Sequence, residues 1–382
     1  MIYKDFKGMK LSALGMGAMR LPVIDGDINK IDAGATAEMV AYAMKKGINY
    51  YDTAWGYHGG NSELVMGECL KNYPRDSFYL ADKFPGYDLD NMDKVEEIFE
   101  QQLVKCQVEY FDFYLIHNVC ELNIEQYLDP KYGIVDYLLK QKENGRIKHL
   151  GYSDHSGIEC FERFMEAYGE HMEFCQIQLN YLDYDFQKAR IKMEILKEKG
   201  IPVWVMEPLR GGRLASLPEK YEAKLKEFRP DEKVPAWAFR YLQSFPEVTV
   251  VLSGMSNFEQ LKENIETYET EKPVTKEELE YIYGMCDEMV KKIALPCTSC
   301  RYCTSYCPME LDIPYLIELY NEHSFTGGGF IAPMALGAVP AEKQPSACIG
   351  CGQCSKVCPQ QIDIPGAMAD FAKMLSAAED DE

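Results

Sequence analysis

Short apolar runs alternate with amphipathic stretches through the first three quarters of the chain. Runs of strand length fall at 13–18, 48–52, 78–83, 111–117, 149–153, 174–180, 202–207 and 248–254. Each is rich in β-branched, aromatic or aliphatic residues, as strands buried on both faces require. Between them, apolar residues recur at helical spacing, as at 36–46, 62–73, 94–106, 134–144, 187–199 and 235–244. Lys45-Lys46-Gly47 and Lys197-Glu198-Lys199-Gly200 place cations and then glycine where helices end. Eight strand–helix alternations predict an α/β fold, a (β/α)8 TIM barrel, with an open doubly wound sheet as the alternative. No Gly-x-Gly-x-x-Gly opens a helix after the first strand; Leu14-Gly15-Met16-Gly17 is not that fingerprint, which weighs against the open sheet.

The alternation stops after Asn264. A charged stretch, 267–280, leads into helical sequence reaching Lys292, expected to pack on the barrel and deliver a second domain. Eight of the 14 cysteines lie beyond it, in two copies of one spacing. The first copy is Cys297, Cys300, Cys303 and Cys307, followed by Pro308. The second is Cys348, Cys351, Cys354 and Cys358, followed by Pro359. This is the ligand run of bacterial-type ferredoxins, in which the cysteine ahead of proline serves the other cluster. The expected sets are therefore Cys297, Cys300, Cys303 with Cys358, and Cys348, Cys351, Cys354 with Cys307. Structural zinc, the competing reading, prefers two separated Cys-x-x-Cys pairs closing one tetrahedron, a poor match to this spacing. The insert between the runs holds an expected helix, 313–322, and a turn at Gly327-Gly328-Gly329, which favours a mainly helical two-[4Fe-4S] domain resembling dicluster ferredoxins. The resulting organisation is a barrel over 1–285, an iron–sulfur domain over 286–372 and an acidic tail over 373–382.

Charge narrows the partners. The 382 residues carry a formal net charge of -21, which repels nucleic-acid phosphates and anionic lipid heads, so neither partner is expected. With no apolar run of spanning length and no signal-peptide core, a cytoplasmic location is expected, where cysteines serve as ligands or free thiols. The six scattered cysteines are expected as buried small side chains.

A barrel carries its chemistry at the C-terminal strand ends. Asp52, followed by Tyr57, then Lys83, then His117 fall at three successive ends, with Ser153, Asp154 and Gln178 at the next two. Each has a plain structural reading: Asp52 as a helix cap, Lys83 as a surface lysine, Tyr57 as one of 26 tyrosines, His117 as a core histidine. Together they offer a phenol whose proton can be given up, an ammonium expected to lower its pKa, a carboxylate to hold that ammonium, and an imidazole donor. That set suits reduction of a carbonyl by an external hydride.

In this order the residues resemble the aldo-keto reductase family. The likeness runs through Asp52-Thr53-Ala54-Trp55-Gly56-Tyr57, Leu80-Ala81-Asp82-Lys83, Tyr114-Leu115-Ile116-His117, Gln178-Leu179-Asn180-Tyr181, Glu207-Pro208-Leu209-Arg210-Gly211-Gly212 and Ser253-Gly254-Met255-Ser256. The resemblance implies an Asp52–Tyr57–Lys83–His117 tetrad with Tyr57 as general acid, and a nicotinamide whose carboxamide is held by Ser153 and Gln178. It also implies that the pyrophosphate and adenosine lie along Pro208, Leu209, Arg210 and Gly211 and along Ser253, Gly254, Met255, Gln260 and Asn264. Asp154 stands where the family often has Asn, Met206 where many members stack an aromatic ring, and Gln260 where NADPH-specific members place Arg. NADP(H) is the family's usual cofactor, and NAD(H) is credible here; Arg20, Arg210 and Arg213 are the cations that could replace the missing one.

Hydride moves two electrons together, whereas iron–sulfur clusters pass one. Three functions follow: a carbonyl reductase acting on a small aldehyde or ketone, with structural or sensing clusters; an electron-transfer oxidoreductase linked through a flavin, a one-electron substrate, or a ferredoxin or flavoprotein partner; and a redox-sensing interaction module. A flavin is possible but is not read from the sequence, so the motifs do not decide among them.

Overall fold

The computed structural model describes residues 1–291, 294–297 and 299–379. The chain divides into two compact units, Met1–Tyr283 and Gly284–Glu382.

The first unit is a closed barrel of eight parallel strands: β3 (Leu14–Gly17), β4 (Tyr50–Asp52), β5 (Tyr79–Phe84), β6 (Phe111–Val119), β7 (Ile147–Asp154), β8 (Cys175–Gln178), β9 (Val203–Met206) and β10 (Val248–Ser253). They pair in chain order and close through β10 against β3. The registers Gly17↔Asp52, Asp52↔Ala81, Lys83↔Leu115 and Ser153↔Gln176 bring the polar strand ends to one rim. All eight expected strands are present. The runs 174–180 and 202–207 end early, so Asn180 and Glu207 lie on loops above the rim.

An antiparallel hairpin, β1 (Tyr3–Phe6) with β2 (Met9–Ser12), precedes the barrel. It escaped the pattern because its strands are only four residues long and mix charged and apolar residues, too short a run for alternation to be detected. Phe6 enters the barrel interior, where its ring packs edge-on against Trp204 at 5.1 Å and tilted against Phe113 at 5.7 Å. Tyr50, Phe174, Val250 and Leu252 complete this layer. The hairpin turn is tied down electrostatically, with Lys7, Lys142 and His149 all meeting Glu173. Burial alone would raise the Glu173 carboxyl, but His149, Lys142 and Lys7 outweigh it and hold it well below the usual carboxylate range. A depressed folded pKa stabilises above the carboxyl's unfolded value and loses that contribution as pH falls. Glu173→Gln should therefore cost about 1–2 kcal/mol near neutral pH, and the difference should begin to shrink only below the unfolded carboxyl's value of about 4 and persist in part at pH ~3, as urea denaturation at the two pH values would show.

The helix expected to reach Lys292 is Lys276–Lys291; Lys292 lies outside the described residues. Its first half packs on the barrel through the buried, bidentate Arg229–Glu278 pair. The regular elements of the second unit are all helices among its described residues, the main ones being Ile313–Thr326, Ile331–Leu336 and Ile364–Glu379. Leu316, Ile317, Leu336, Ile364, Met368 and Phe371 form its core. The segment expected as a tail from 373 instead continues the last helix to Glu379. Its apolar Ala and Leu residues keep the helical pattern going; Asp380, Asp381 and Glu382 lie outside the described residues.

Candidate functional site

At the rim, β4 and β5 place Asp52 and Lys83 side by side inside the barrel wall. Lys83 is completely buried, and its Nζ meets Asp52 Oδ1 at 2.6 Å, the Thr53 carbonyl at 2.7 Å and the Tyr57 hydroxyl at 3.3 Å. Tyr57 opens a 3-10 turn, Tyr57–Gly60, kept irregular by His58 and Gly59 in left-handed conformations. His117, on β6, sets its ring edge-on to Tyr57 at 6.0 Å between centroids. Its Nδ1 is buried without a hydrogen-bond partner among the described residues. The structure thus gathers all four expected residues.

Their electrostatics differ from expectation in one respect. Lys83 does pull the Tyr57 phenol down, but burial is the larger effect and Asp52 adds to it, so the phenol lies above its ordinary value. Burial favours a neutral Lys83 amine, yet Asp52 and Tyr57 outweigh it and keep the ammonium. Burial, Lys83 and His155 push His117 well below its ordinary value, so its imidazole is neutral. The site combines a phenol that keeps its proton, a fixed positive charge and a neutral imidazole.

Tyr87 was not foreseen. It follows β5 on a loop, stacks edge-on to His117 at 5.2 Å and sets its hydroxyl over Gly56, where a Cβ would come within 2.3 Å. No periodicity marks such a loop residue; only the fold brings it beside Tyr57.

The expected cofactor residues separate into two groups. Ser153 Oγ accepts the Asn118 N–H at 2.8 Å and keeps its own O–H to donate. Gln178 and Asn180 donate to Asp183 Oδ2 at 2.8 and 2.6 Å. Arg20, Leu209, Gly211, Gly254 and Gln260 line the loops above β9 and β10 with Met206, Gln260 Oε1 accepting the Ser256 N–H at 2.8 Å. The others face inward. Arg210, offered above as a cation for a phosphate, is 4% exposed and binds Asp183 through Nε at 2.9 Å, because the buried Asp183 charge needs a partner. Asp154 gives its two oxygens to Lys192 at 2.5 Å and Ser156 at 2.6 Å, for the same reason. Asn264 donates to Ser253 Oγ at 3.1 Å, and Pro208 and Met255 are buried, so these four shape the loops from behind. Lys192 and Asp183, buried charges with no sequence signal beyond their types, were likewise not foreseen. His155 is partly buried, and desolvation followed by the nearby Lys192 ammonium pushes its imidazole down to about 3.

In the second unit the cysteines line two cavities. Cys297, Cys300, Cys303 and Cys358 share one with Pro314, Ile317 and Ile364; Cys307, Cys348, Cys351 and Cys354 share the other with Ile313, Ile349 and Met368. Among the described residues, no three Cys, His, Asp or Glu side chains close on a single-ion site. The two runs repeat in backbone as well as in spacing. Ser299 and Arg301 are left-handed in the first, and Gly350 and Gly352 take those places in the second; Glu310 and Gln361 are left-handed just after each Cys-Pro. The helices beginning at Ile313 and Ile364 then follow at matching distances.

Comparison with known proteins agrees with this architecture. The aldo/keto reductase family model matches residues 13–286, and a 4Fe-4S dicluster domain model matches residues 296–362. Fold and family together define an NAD(P)H-dependent oxidoreductase built on a TIM barrel. The chain belongs to the aldo/keto reductase family, and a ferredoxin-type 4Fe-4S domain follows its barrel. L-galactose dehydrogenase of Arabidopsis thaliana is 26% identical over 279 residues, covering 68% of this chain and 84% of that protein. The NADH-specific methylglyoxal reductase of Escherichia coli is 23% identical over 301 residues, covering 67% and 89%. An aldo-keto reductase from Klebsiella pneumoniae solved in complex with NADPH superposes with a TM-score of 0.59 at 18% identity, over 75% of this chain and 95% of that one. Among the described residues no helix is long and apolar enough to cross a membrane.

Proposed function

We propose that the barrel reduces a small aldehyde or ketone, with Tyr57 as general acid. The observation that carries this reading is the Lys83 ammonium, fully buried and shared by Asp52, Thr53 and Tyr57. A bound nicotinamide would supply the hydride. Ser153, with a hydroxyl proton to give, and Gln178 would hold its carboxamide, and the exposed backbone at Gly211 and Gly254 would take its phosphates. The chain's own part is to manage the oxygen that becomes an alkoxide. Tyr57 passes its phenolic proton to that oxygen. Lys83 stabilises the phenolate left behind, and Asp52 keeps Lys83 charged and in place. His117, neutral, orients the carbonyl by donating a hydrogen bond. Tyr87 walls the pocket and restricts it to small substrates.

Each cavity gathers four cysteines, the ligand number of a cubane, and their Cys-x-x-Cys-x-x-Cys spacing with a distant Cys-Pro matches cluster ligation better than zinc. Two [4Fe-4S] clusters would supply one-electron transfer. Cys300 and Cys351, one in each set, are exposed, which favours electron exchange with a ferredoxin or flavoprotein partner over a purely structural role.

The test uses anaerobic, iron-replete protein with NADH or NADPH and a panel of small carbonyls, following nucleotide oxidation and cluster absorption together. Carbonyl-dependent nucleotide oxidation is expected. If no carbonyl supports it with either nucleotide, the reductase reading fails. If the nucleotide bleaches the clusters, the two chemistries are connected; if only dithionite does so, the clusters are fed separately.

A further inference from the structure

One carboxylate stands at the phosphate end of the proposed nucleotide site, where a second anion is unwelcome. Glu207 follows β9 with a left-handed backbone, φ 56°. Arg20, from the loop after β3, lies flat across Gly254, where a Cβ would come within 3.1 Å of its side chain, and reaches Glu207 at 4.0 Å. Arg20 is half exposed, whereas the Glu207 side chain is only 20% exposed. The Glu207 carboxylate also comes up to Gly211, its Oε2 3.7 Å from where a Cβ would stand, close enough for the Gly211 N–H to lower its pKa. Gly211 and Gly212 are both left-handed, φ 65° and 95°, so their backbone lies open to an approaching group. A guanidinium and an open glycine backbone N–H are what a phosphate oxygen requires, and in this protein both converge on an internal carboxylate.

We propose that Glu207 is a built-in anion that competes with the nucleotide's phosphates for Arg20 and the Gly211 N–H, and so sets cofactor affinity. This rests on the reading above that a nicotinamide dinucleotide binds across the loops after β9 and β10. The groups facing Glu207 are Arg20, Arg210 and Asp183. Arg210 is committed to Asp183, so Arg20 is the cation free to change partner. Burial raises the Glu207 carboxyl above its ordinary value; Arg20 and Gly211 lower it and Asp183 raises it. Once protonated, Glu207 no longer competes, so nucleotide binding tightens as pH falls.

The test is anaerobic calorimetry of the holoprotein with NAD+, whose phosphates do not titrate in the range used, and with inorganic pyrophosphate. Removing one negative charge beside a phosphate should tighten NAD+ binding by about tenfold at pH ~8 in Glu207→Gln and remove any tightening that the natural protein shows as pH falls. Arg20→Gln should weaken binding, and the gain from Glu207→Gln should shrink in that background. If Glu207→Gln binds no tighter, or keeps the pH dependence, the inference is overturned. If that variant does not fold, unchanged NAD+ affinity in Arg20→Gln overturns it equally. A gain for pyrophosphate without one for NAD+ assigns these donors to a phosphorylated substrate and overturns the cofactor role. No binding of NAD+ or NADP+ by the natural protein at either pH overturns the nucleotide reading itself.

Discussion

Replacing Tyr57 with Phe should lower kcat/KM for carbonyl reduction by about 10²–10⁴-fold, the usual contribution of a positioned general acid, while fold and clusters stay intact. The hydroxyl is a minor partner of Lys83 at 3.3 Å, and the ammonium keeps Asp52 and Thr53, so the stability cost should stay below about 1 kcal/mol. Lys83→Met should behave differently. It removes the charge that compensates the phenolate, and it leaves Asp52 buried with neither oxygen paired, since Oδ2 already has no partner. Breaking a buried pair in this way costs about 3–5 kcal/mol. The sign of its pH dependence is fixed by burial, which raises the Asp52 carboxyl. The penalty is full above that raised value and fades as pH falls and the lone carboxylate protonates. Lys83→Met combined with Asp52→Asn should regain most of the stability and none of the activity. Denaturation at two pH values, set beside steady-state kinetics, separates the effects; if Tyr57→Phe retains turnover, the tetrad assignment is wrong.

Cys358→Ala should remove one cluster and leave the other, halving iron from about eight to about four per chain. The cavity linings specify which one is lost, because Cys358 faces Cys297, Cys300 and Cys303 rather than its neighbours in sequence. Pairing substitutions makes this crossed arrangement visible. Cys358→Ala with Cys300→Ala strikes one cluster twice, so about four irons remain; Cys358→Ala with Cys351→Ala strikes both, so nearly none remain. Each run ligating its own cluster would reverse these two results. Iron and sulfide counts with EPR on anaerobic protein decide the matter. The second unit should also lose stability stepwise, because its core is small and cluster binding contributes folding free energy in such domains.

Hydrophobic spacing was enough to place eight strands and close the barrel, because a strand buried on both faces must be a continuous apolar run and has few other readings. That Asp52, Tyr57, Lys83 and His117 meet was legible for the related reason that a parallel barrel delivers every strand end to one rim. Cysteine spacing anticipated which four cysteines share each cavity, since three closely spaced thiols and a Cys-Pro leave little geometric freedom. Side chains whose roles depend on what faces them were not legible. Asp183 and Lys192 resemble ordinary surface charges until burial forces them to find Arg210 and Asp154. Arg210 resembled a free phosphate ligand for the same reason. Tyr87 and Glu207 sit on loops whose positions are set by long-range packing. The phenol of Tyr57 could be assigned a neighbour from sequence but not a net shift, because desolvation by the surrounding barrel exceeds the pull of Lys83. Local spacing, then, determined which residues reach the rim and which cysteines share a cavity. Tertiary structure decided their charge states and partners, because burial and charge proximity are properties of the packed chain and not of its order.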